Sequence, residues 1–200
     1  MIGILDFGLG NIASVSNMLK RIGEKSLICK NKTDLSLADK MILPGVGSFD
    51  NAINKIHKSG LLPEIERKVL KEKAPILGIC LGMQLLMQKS EEGSKKGLGW
   101  VPGEVIKIND EQINVPHMGW NSVKVKRINS LIKNIDHKFR FYFIHSYIVK
   151  LQDKKNELLE TEYGKKFTSS FAYKNFFGVQ FHPEKSHKYG MKILKNFSNI

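Results

Sequence analysis

A lone cysteine framed by glycines is the side chain of this sequence best placed to act as a nucleophile. It lies in the run Pro75-Ile76-Leu77-Gly78-Ile79-Cys80-Leu81-Gly82-Met83-Gln84. The apolar residues predict a buried strand, and a helical pattern follows the cysteine. At such a strand-to-helix corner the nucleophile stands clear, because the glycines remove Cβ atoms that would clash. A helix N-terminus also favours the reactive thiolate. An inert cysteine buried in a strand is the alternative.

A cysteine nucleophile needs a base, and the C-terminal part of the chain offers one. The run Gly178-Val179-Gln180-Phe181-His182-Pro183-Glu184 is an apolar strand that ends in polar residues. Proline biases the preceding residue toward an extended conformation, so the side chains of His182 and Glu184 can lie on one side. A carboxylate there would fix the imidazole tautomer and stabilise imidazolium. Taken alone, this segment could also be a strand end with a purely structural role. Taken together with Cys80, the segment predicts a catalytic triad of Cys80, His182 and Glu184.

A glycine-containing segment could supply an oxyanion hole. It reads Leu43-Pro44-Gly45-Val46-Gly47-Ser48-Phe49 and follows an apolar run. Its backbone N–H groups at Gly45, Val46 and Gly47 could point at a developing negative oxygen, with the amide of Leu81 as a further donor. An ordinary turn is the alternative. The segment lacks the spacing of a phosphate-binding P-loop, which disfavours nucleotide binding.

The first half of the chain alternates short apolar runs with helical patterns. Strands are predicted over 2–5, 26–29, 40–43 and 76–79, and helices over 49–57 and 62–70. An earlier helix follows Asn11 as N-cap, with its apolar positions at Ile12, Val15, Met18, Leu19 and Ile22. This rhythm predicts an α/β fold with a mostly parallel central sheet flanked by helices. Sites in such sheets lie at the carboxyl ends of the strands, where Asp6, Gly45 and Cys80 fall.

The second half reads as strands separated by turns, which predicts antiparallel additions to the sheet. The predicted strands cover 104–108, 122–126, 139–150, 158–163, 168–173 and 177–181, and a last helix covers about 189–197. Neither a composition break nor a linker-like segment divides the chain, so we expect one domain over residues 1–200.

Composition excludes several classes of protein. The net charge is +13, but lysines are dispersed and arginines are few, which favours a basic solvated surface, an acidic protein partner or an anionic substrate over nucleic acid. Neither a signal-peptide pattern nor a membrane-length apolar run is visible. The two cysteines, in unlike contexts, fit a reducing cytoplasm. We expect a cytoplasmic protein with no metal or cofactor, no nucleic-acid partner and no membrane association.

These runs resemble the class I, or triad, glutamine amidotransferases, and among them the glutaminase subunits of imidazole glycerol phosphate synthase. The similarity covers nearly the whole length. The segments that carry it are Asp6-Phe7-Gly8-Leu9-Gly10-Asn11, Leu43-Pro44-Gly45-Val46-Gly47, Gly78-Ile79-Cys80-Leu81-Gly82-Met83-Gln84, Pro116-His117-Met118-Gly119-Trp120-Asn121, Tyr142-Phe143-Ile144-His145-Ser146-Tyr147 and His182-Pro183-Glu184-Lys185-Ser186. One departure is Phe7, where the family commonly has tyrosine.

The resemblance implies a flavodoxin-like core and a site for glutamine. Cys80 would attack the glutamine carboxamide, and His182 would protonate the departing nitrogen. The residues implied to hold glutamine are Gly47, Gln84, Glu92, Ser146 and Tyr147. The peptide at Val46 would be set for catalysis only when the partner is loaded, and a Gly-Val-Gly hinge suits such a flip.

The resemblance also implies a partner that receives the ammonia. This partner would be a (β/α)8-barrel cyclase subunit, and the interface positions carried over are Asn11, Trp120, Asn121, Tyr142 and Lys185. A packed core tryptophan is the alternative for Trp120. A paralogous amidotransferase serving a sugar-amidinating enzyme of surface polysaccharides is a second hypothesis, which Phe7 and the basic charge leave open. A catalytically dead binding module is the third, and the intact triad argues against it.

Overall fold

A mixed sheet of ten strands forms the centre of the protein. The computed structural model describes residues 1–110 and 112–200. Their strands are β1 Ile2–Leu5, β2 Ser26–Cys29, β3 Lys40–Gly45, β4 Ile76–Cys80, β5 Gly103–Lys107, β6 His117–Ser122, β7 Lys124–Val125, β8 Arg140–His145, β9 Tyr147–Leu151, β10 Glu157–Tyr163, β11 Lys165–Tyr173 and β12 Phe176–Val179. Their α-helices are α1 Ile12–Arg21, α2 Lys32–Ser36, α3 Phe49–Lys58, α4 Leu62–Glu66, α5 Leu81–Leu85 and α6 His187–Ser198.

The strand order is β2-β1-β3-β4-β12-β11-β10-β7, with β9 joined to β11 and β5 joined to β9. The strands from β2 to β12 in this order pair in parallel, and the pairs beyond β12 are antiparallel. Strands β6 and β8 form a separate antiparallel pair. The predicted α/β class with a mostly parallel core and antiparallel additions is therefore confirmed. Within the described ranges, no helix has both the length and the apolar character needed to span a membrane.

Helices cover both faces of the sheet because alternate strand residues point in opposite directions. Along β1, Ile4 packs with the buried side chains of α1 and α6, whereas Leu5 packs on the opposite face with those of α3, α4 and α5. Helix α1 begins at the predicted N-cap, where the Asn11 Oδ1 accepts a hydrogen bond from the Ser14 backbone N–H at 3.2 Å. The sheet is therefore packed between two apolar layers, one on each face.

The structure corrects the predicted strand over 139–150. Strand β8 ends at His145 and β9 begins at Tyr147, with a bend at Ser146 between them. Strand β8 pairs with β6, whereas β9 pairs with β5 and β11, so one continuous strand could not satisfy both sets of partners. The bend therefore lies where the chain passes from the small sheet to the large one.

Two other predicted elements are not continuous in the structure. The strand predicted over 122–126 is interrupted at the buried Val123, between the end of β6 and the two-residue β7. The helix predicted over 62–70 is α-helical only to Glu66 and continues as a π-helical turn over Arg67–Lys71. The short helix α2 was not predicted, because five residues give too little apolar periodicity.

The carboxyl ends of β3 and β4 meet helix α5 at unusually close range. A Cβ on Gly45 would lie 2.7 Å from the Gly82 backbone nitrogen, and a Cβ on Gly82 would overlap the Leu43 carbonyl oxygen. Such contacts leave no room for a side chain, because interiors are already close-packed. Glycine at these positions lets α5 start directly against β3.

Replacing Gly82 tests this close approach. We expect Gly82→Ala to destabilise the protein by about 3 kcal/mol, because its Cβ would collide with backbone that cannot move aside. Gly60→Ala is the control: it also replaces a glycine, at φ +68, but no atom lies within 4 Å of the new Cβ. The control should lose about 1 kcal/mol from its left-handed backbone alone. Urea unfolding followed by circular dichroism compares the two, and equal losses would contradict the packing argument.

Candidate active site

Cys80 occupies a strained corner between β4 and α5. Its backbone has a positive φ, with φ 53 and ψ −112, which is rare for a residue with a Cβ. The corner closes because Gly78 has no side chain: a Cβ there would lie 2.6 Å from the Gly82 carbonyl oxygen. The strain presents the thiol to a cavity while Cys80 remains only 7% exposed. This is the corner geometry that the sequence predicted.

His182 and Glu184 follow β12 and contact each other as predicted. The imidazole Nδ1 lies 2.7 Å from the Glu184 Oε1, and both side chains are buried. The His182 backbone is held on both sides, because its N–H donates to the Tyr142 carbonyl at 2.9 Å and its carbonyl accepts from the Ser186 hydroxyl at 2.6 Å. Nε2 makes no hydrogen bond to any described residue, so it is free to act on a ligand.

The electrostatics of His182 favour its charged form. Burial acts to lower the pKa of the imidazole, but Cys80 and Glu184 together outweigh burial and raise the pKa to about 10. A histidine held as imidazolium at neutral pH is suited to stabilise a thiolate and to donate a proton to a leaving group. The geometry therefore supplies a nucleophile, an acid and the carboxylate that orients it.

A cavity of about 320 Å³ brings most of the predicted site residues together. Its lining residues are Val46, Gly47, Cys80, Leu81, Gln84, Glu92, Pro116, Ile144, His145, Ser146, Tyr147, His182 and Lys185. Two of the predicted catalytic, oxyanion-hole and glutamine-binding residues are absent from this lining. Gly45 packs against α5 below the loop, and Glu184 lies behind His182. The remaining oxyanion and glutamine-binding candidates all face one space.

Two of the cavity side chains have fixed roles in the wall. The Glu92 carboxylate accepts a hydrogen bond from the Phe49 backbone N–H at 3.0 Å, at the start of α3, and burial raises the pKa of this carboxyl group. Gln84 uses both of its N–H groups internally, donating to the Tyr147 carbonyl at 3.0 Å and to the Gln180 Oε1 at 3.1 Å. Gln84 can therefore contact a ligand only through its Oε1.

An exposed aromatic surface lies beside the cavity. Trp120 is 46% exposed, so the interpretation of it as a packed core residue is wrong. Its ring stacks on His187 with centroids 5.5 Å apart, and the Tyr142 ring stands edge-on to it at 6.3 Å. The Lys185 Nζ lies 5.5 Å from the centre of the Tyr142 ring. These residues form one platform at the cavity mouth, which Lys185 also lines.

The other two predicted interface residues differ from this platform. Asn11 is exposed and caps α1. Asn121 is half-buried, and its side chain bonds inward: Nδ2 donates to the Glu162 carbonyl at 2.9 Å and lies 3.2 Å from the His117 Nε2. Asn121 therefore supports the surface strand through internal contacts.

Known proteins with similar sequences belong to a family whose chemistry fits this site. Residues 3–200 match the family described as glutamine amidotransferase class-I. A protein of Methanococcus maripaludis named imidazole glycerol phosphate synthase subunit HisH 2 is 49% identical over 198 residues, which are 98% of each chain. A protein of the same name from Pseudomonas aeruginosa is 46% identical over 201 residues, with both chains fully covered. The chain belongs to the HisH family of class I glutamine amidotransferases.

A solved structure supports the amidotransferase fold. A glutamine amidotransferase from Thermotoga maritima superimposes with a TM-score of 0.63 at 18% identity, covering 99% of this chain and 82% of that one. At this identity the likeness concerns the fold alone. The parallel core with antiparallel additions is thus the architecture of this family.

Sequence reasoning missed three side chains of this amidotransferase site. Gln180 is fully buried, and its Nε2 lies 3.8 Å from the Cys80 Sγ. His145 lines the cavity wall, and His187 stacks on Trp120. The one usable signal was for Gln180, a polar residue inside the otherwise apolar run before His182. His145 meets His117, and His187 meets Trp120, only through tertiary contacts.

The charge state of His182 can be tested through Glu184. Because the folded-state pKa lies above the ordinary 6.5, the charge stabilises the fold fully below pH 6.5 and this contribution is lost as the pH rises through about 10. In Glu184→Gln the opposite charge is gone, so we expect the pKa of His182 to fall by about 1–3 pH units. NMR titration of the imidazole measures it.

The matched control for this titration is Glu160→Gln. Glu160 pairs with Lys126 on the far antiparallel part of the sheet, so its loss should leave the His182 titration unchanged. An unchanged titration in Glu184→Gln as well would show that the carboxylate does not hold the charge on His182.

Proposed function

We propose that this HisH-family chain hydrolyses glutamine to glutamate and ammonia with Cys80 as the nucleophile, and that it passes the ammonia to a synthase partner. The observation that carries the proposal is the meeting, in one cavity, of the corner cysteine with the His182 imidazole that Glu184 holds at 2.7 Å. A lone cysteine or a lone histidine would not support this chemistry; the nucleophile with an oriented acid does.

The reaction follows from the positions of these groups. The Cys80 thiolate attacks the carboxamide carbon, and the carbonyl π electrons move to oxygen. When the C–N bond breaks, the His182 imidazolium gives its proton to nitrogen, so that ammonia leaves and a glutamyl thioester remains. His182 then takes a proton from water, whose oxygen attacks the thioester and displaces the Cys80 sulfur. Glu184 keeps the imidazole oriented throughout.

The tetrahedral oxyanion needs hydrogen-bond donors, and the loop after β3 lines the cavity together with Leu81, which follows Cys80. We assign this role to the backbone N–H groups at Val46, Gly47 and Leu81. Gly47 has φ +100, a conformation that glycine adopts without strain, and Val46 is 48% exposed despite its apolar side chain. Such a loop can turn its peptide when a partner covers it, which would couple hydrolysis to docking.

Four of the predicted glutamine-binding residues have side chains at the cavity, and the fifth, Gly47, lines it with its backbone. The half-buried Glu92 carboxylate suits the α-ammonium group, because an opposite charge compensates its desolvation. Gln84 offers its Oε1, while Ser146 and Tyr147 line the cavity at the bend between β8 and β9. The cavity volume is that of a small-molecule site.

The partner that fits the proposal is a (β/α)8-barrel cyclase subunit of the histidine pathway. It would use the ammonia on a phosphoribosyl intermediate to form imidazole glycerol phosphate and aminoimidazole carboxamide ribotide. The platform at the cavity mouth, on which Trp120 is exposed and Tyr142 half-buried, supports docking here, because aromatic residues carry much of the energy of interfaces. The two free cysteines support a cytoplasmic location.

A second acceptor is favoured by one observation. The relatives from Methanococcus maripaludis and Pseudomonas aeruginosa both carry the numbered name HisH 2, so these names distinguish more than one such subunit. A copy of this kind could supply ammonia to a sugar-amidinating enzyme of surface polysaccharides. The catalytic residues would be the same, and only the partner surface would differ.

The nucleophile and the partner are tested in one assay. With the cyclase and its phosphoribosyl substrate, Cys80→Ala should lose glutamine-dependent product formation by at least about 10³-fold, because no thioester can form. Synthesis from added ammonium salt should be retained. Cys29→Ala is the matched control, since Cys29 is also buried but lies away from the cavity, and it should keep both activities.

Two outcomes would contradict the proposal. Undiminished glutaminase activity in Cys80→Ala would exclude the mechanism. Stimulation of the unsubstituted chain by a sugar-amidinating enzyme, with none by the cyclase, would assign the second acceptor in place of the first.

A further inference from the structure

Gln180 is a buried carboxamide in direct contact with the nucleophile. It follows β12 and lies two residues before His182, and it is fully excluded from solvent. Its Nε2 lies 3.8 Å from the Cys80 Sγ, a hydrogen-bond distance for the large sulfur atom. Its backbone N–H donates to the Ser169 carbonyl at 2.9 Å, which fixes the main chain beneath it. The triad chemistry above gives this side chain no task.

The orientation of the Gln180 carboxamide is set by its neighbours. Gln84 lies 3.0 Å from the Tyr147 carbonyl oxygen, and only its Nε2 can donate there. The second hydrogen of the same Nε2 points to Gln180 at 3.1 Å, so the Gln180 atom at that contact must be its oxygen. The nitrogen of Gln180 therefore faces the Cys80 sulfur.

A pair of neutral histidines holds the acceptor on which this orientation depends. The His145 Nδ1 donates to the Tyr147 carbonyl at 2.9 Å, and the His145 Nε2 lies 3.0 Å from the His117 Nδ1. Burial lowers the pKa of His117 to about 4; burial, with a smaller contribution from His117, lowers that of His145 to about 3. Both rings are thus neutral near pH 7, and each donates through Nδ1.

The two contacts of the Cys80 sulfur have opposite preferences. The Ile144 carbonyl oxygen, 3.7 Å away, can bind only the protonated thiol, which donates S–H. The Gln180 N–H donates to sulfur and gains strength when sulfur becomes an anion. When the thiol loses its proton, the Ile144 contact is lost and the Gln180 contact is strengthened. Gln180 is then the uncharged donor that holds the thiolate in place.

We propose that Gln180 is a catalytic residue of this site, whose Nε2–H donates a hydrogen bond to the Cys80 thiolate and that Gln84 positions for this purpose. The role rests on the proposed function, in which Cys80 is the nucleophile. Gln180 transfers no proton. Its hydrogen bond adds to the stabilisation that the His182 imidazolium, oriented by Glu184, gives to the Cys80 thiolate.

Gln180→Met tests the donor, because methionine keeps the length and volume and removes the N–H. Cys80 alkylation by iodoacetamide is followed against pH by mass spectrometry of the isolated chain. We expect the pH midpoint of alkylation to rise by about one unit, because the thiolate loses one hydrogen-bond donor. The fully buried Cys29, whose pKa burial raises to about 11, should remain unmodified.

Asn196→Leu is the matched control. Asn196 is another buried carboxamide, and its Nδ2 donates to the Leu131 and Lys133 carbonyls, away from the cavity. Its loss should lower the unfolding midpoint in urea and leave the alkylation profile unchanged. A purely structural Gln180 would behave in the same way.

A second measurement uses the unsubstituted chain, in case Gln180→Met does not fold. The side-chain amide resonances of Gln180 should shift at the pH where alkylation of Cys80 begins, and they should not shift over that range in Cys80→Ala. An unchanged alkylation midpoint in folded Gln180→Met, or amide resonances insensitive to that pH, would overturn the inference. Neither measurement needs glutamine or a partner, so failure of the proposed function would appear separately, as absent glutaminase activity.

Discussion

The backbone corner at Cys80, with its positive φ, is the constraint on which the site depends. A non-glycine residue at φ 53 is strained, and it persists only where the surroundings leave no alternative. Here Gly78 and Gly82 allow α5 to press against β3 and β4 with no side chain between them. The thiol is consequently fixed at the floor of the cavity, at the same sheet edge as His182. The fold therefore uses local strain to set the position of one sulfur atom.

Two kinds of histidine on one cavity wall show how burial and charge decide function. His182 is buried, yet Glu184 and Cys80 favour its charged form; His145 is buried beside another neutral ring and loses its charge. The first is suited to move protons, and the second to hold the carbonyl of Tyr147 as a fixed acceptor. Neighbouring groups, more than burial itself, assign these roles. The site thus combines a proton that His182 can transfer with hydrogen bonds at the Tyr147 carbonyl that stay in place.

The sequence predicted the elements whose signals are local. The strand β1, the capped helix α1 and the Cys80 corner follow from apolar periodicity and glycine positions, and the contact between His182 and Glu184 follows from their spacing. Features that depend on tertiary partners escaped it. The bend at Ser146 arises because β8 and β9 join different sheets, and the contact between Gln180 and Cys80 joins residues a hundred positions apart. Periodicity carries no information about either.

The most direct test of the account is covalent labelling by a glutamine analogue that bears a chloromethyl ketone in place of the side-chain carboxamide. If Cys80 is the nucleophile of a glutamine site, mass spectrometry should find a single adduct on the Cys80 peptide, none on Cys29, and protection by excess glutamine. Equal labelling of the two cysteines, or labelling of Cys80 that glutamine does not slow, would contradict the assignment of the cavity as a glutamine-hydrolysing site.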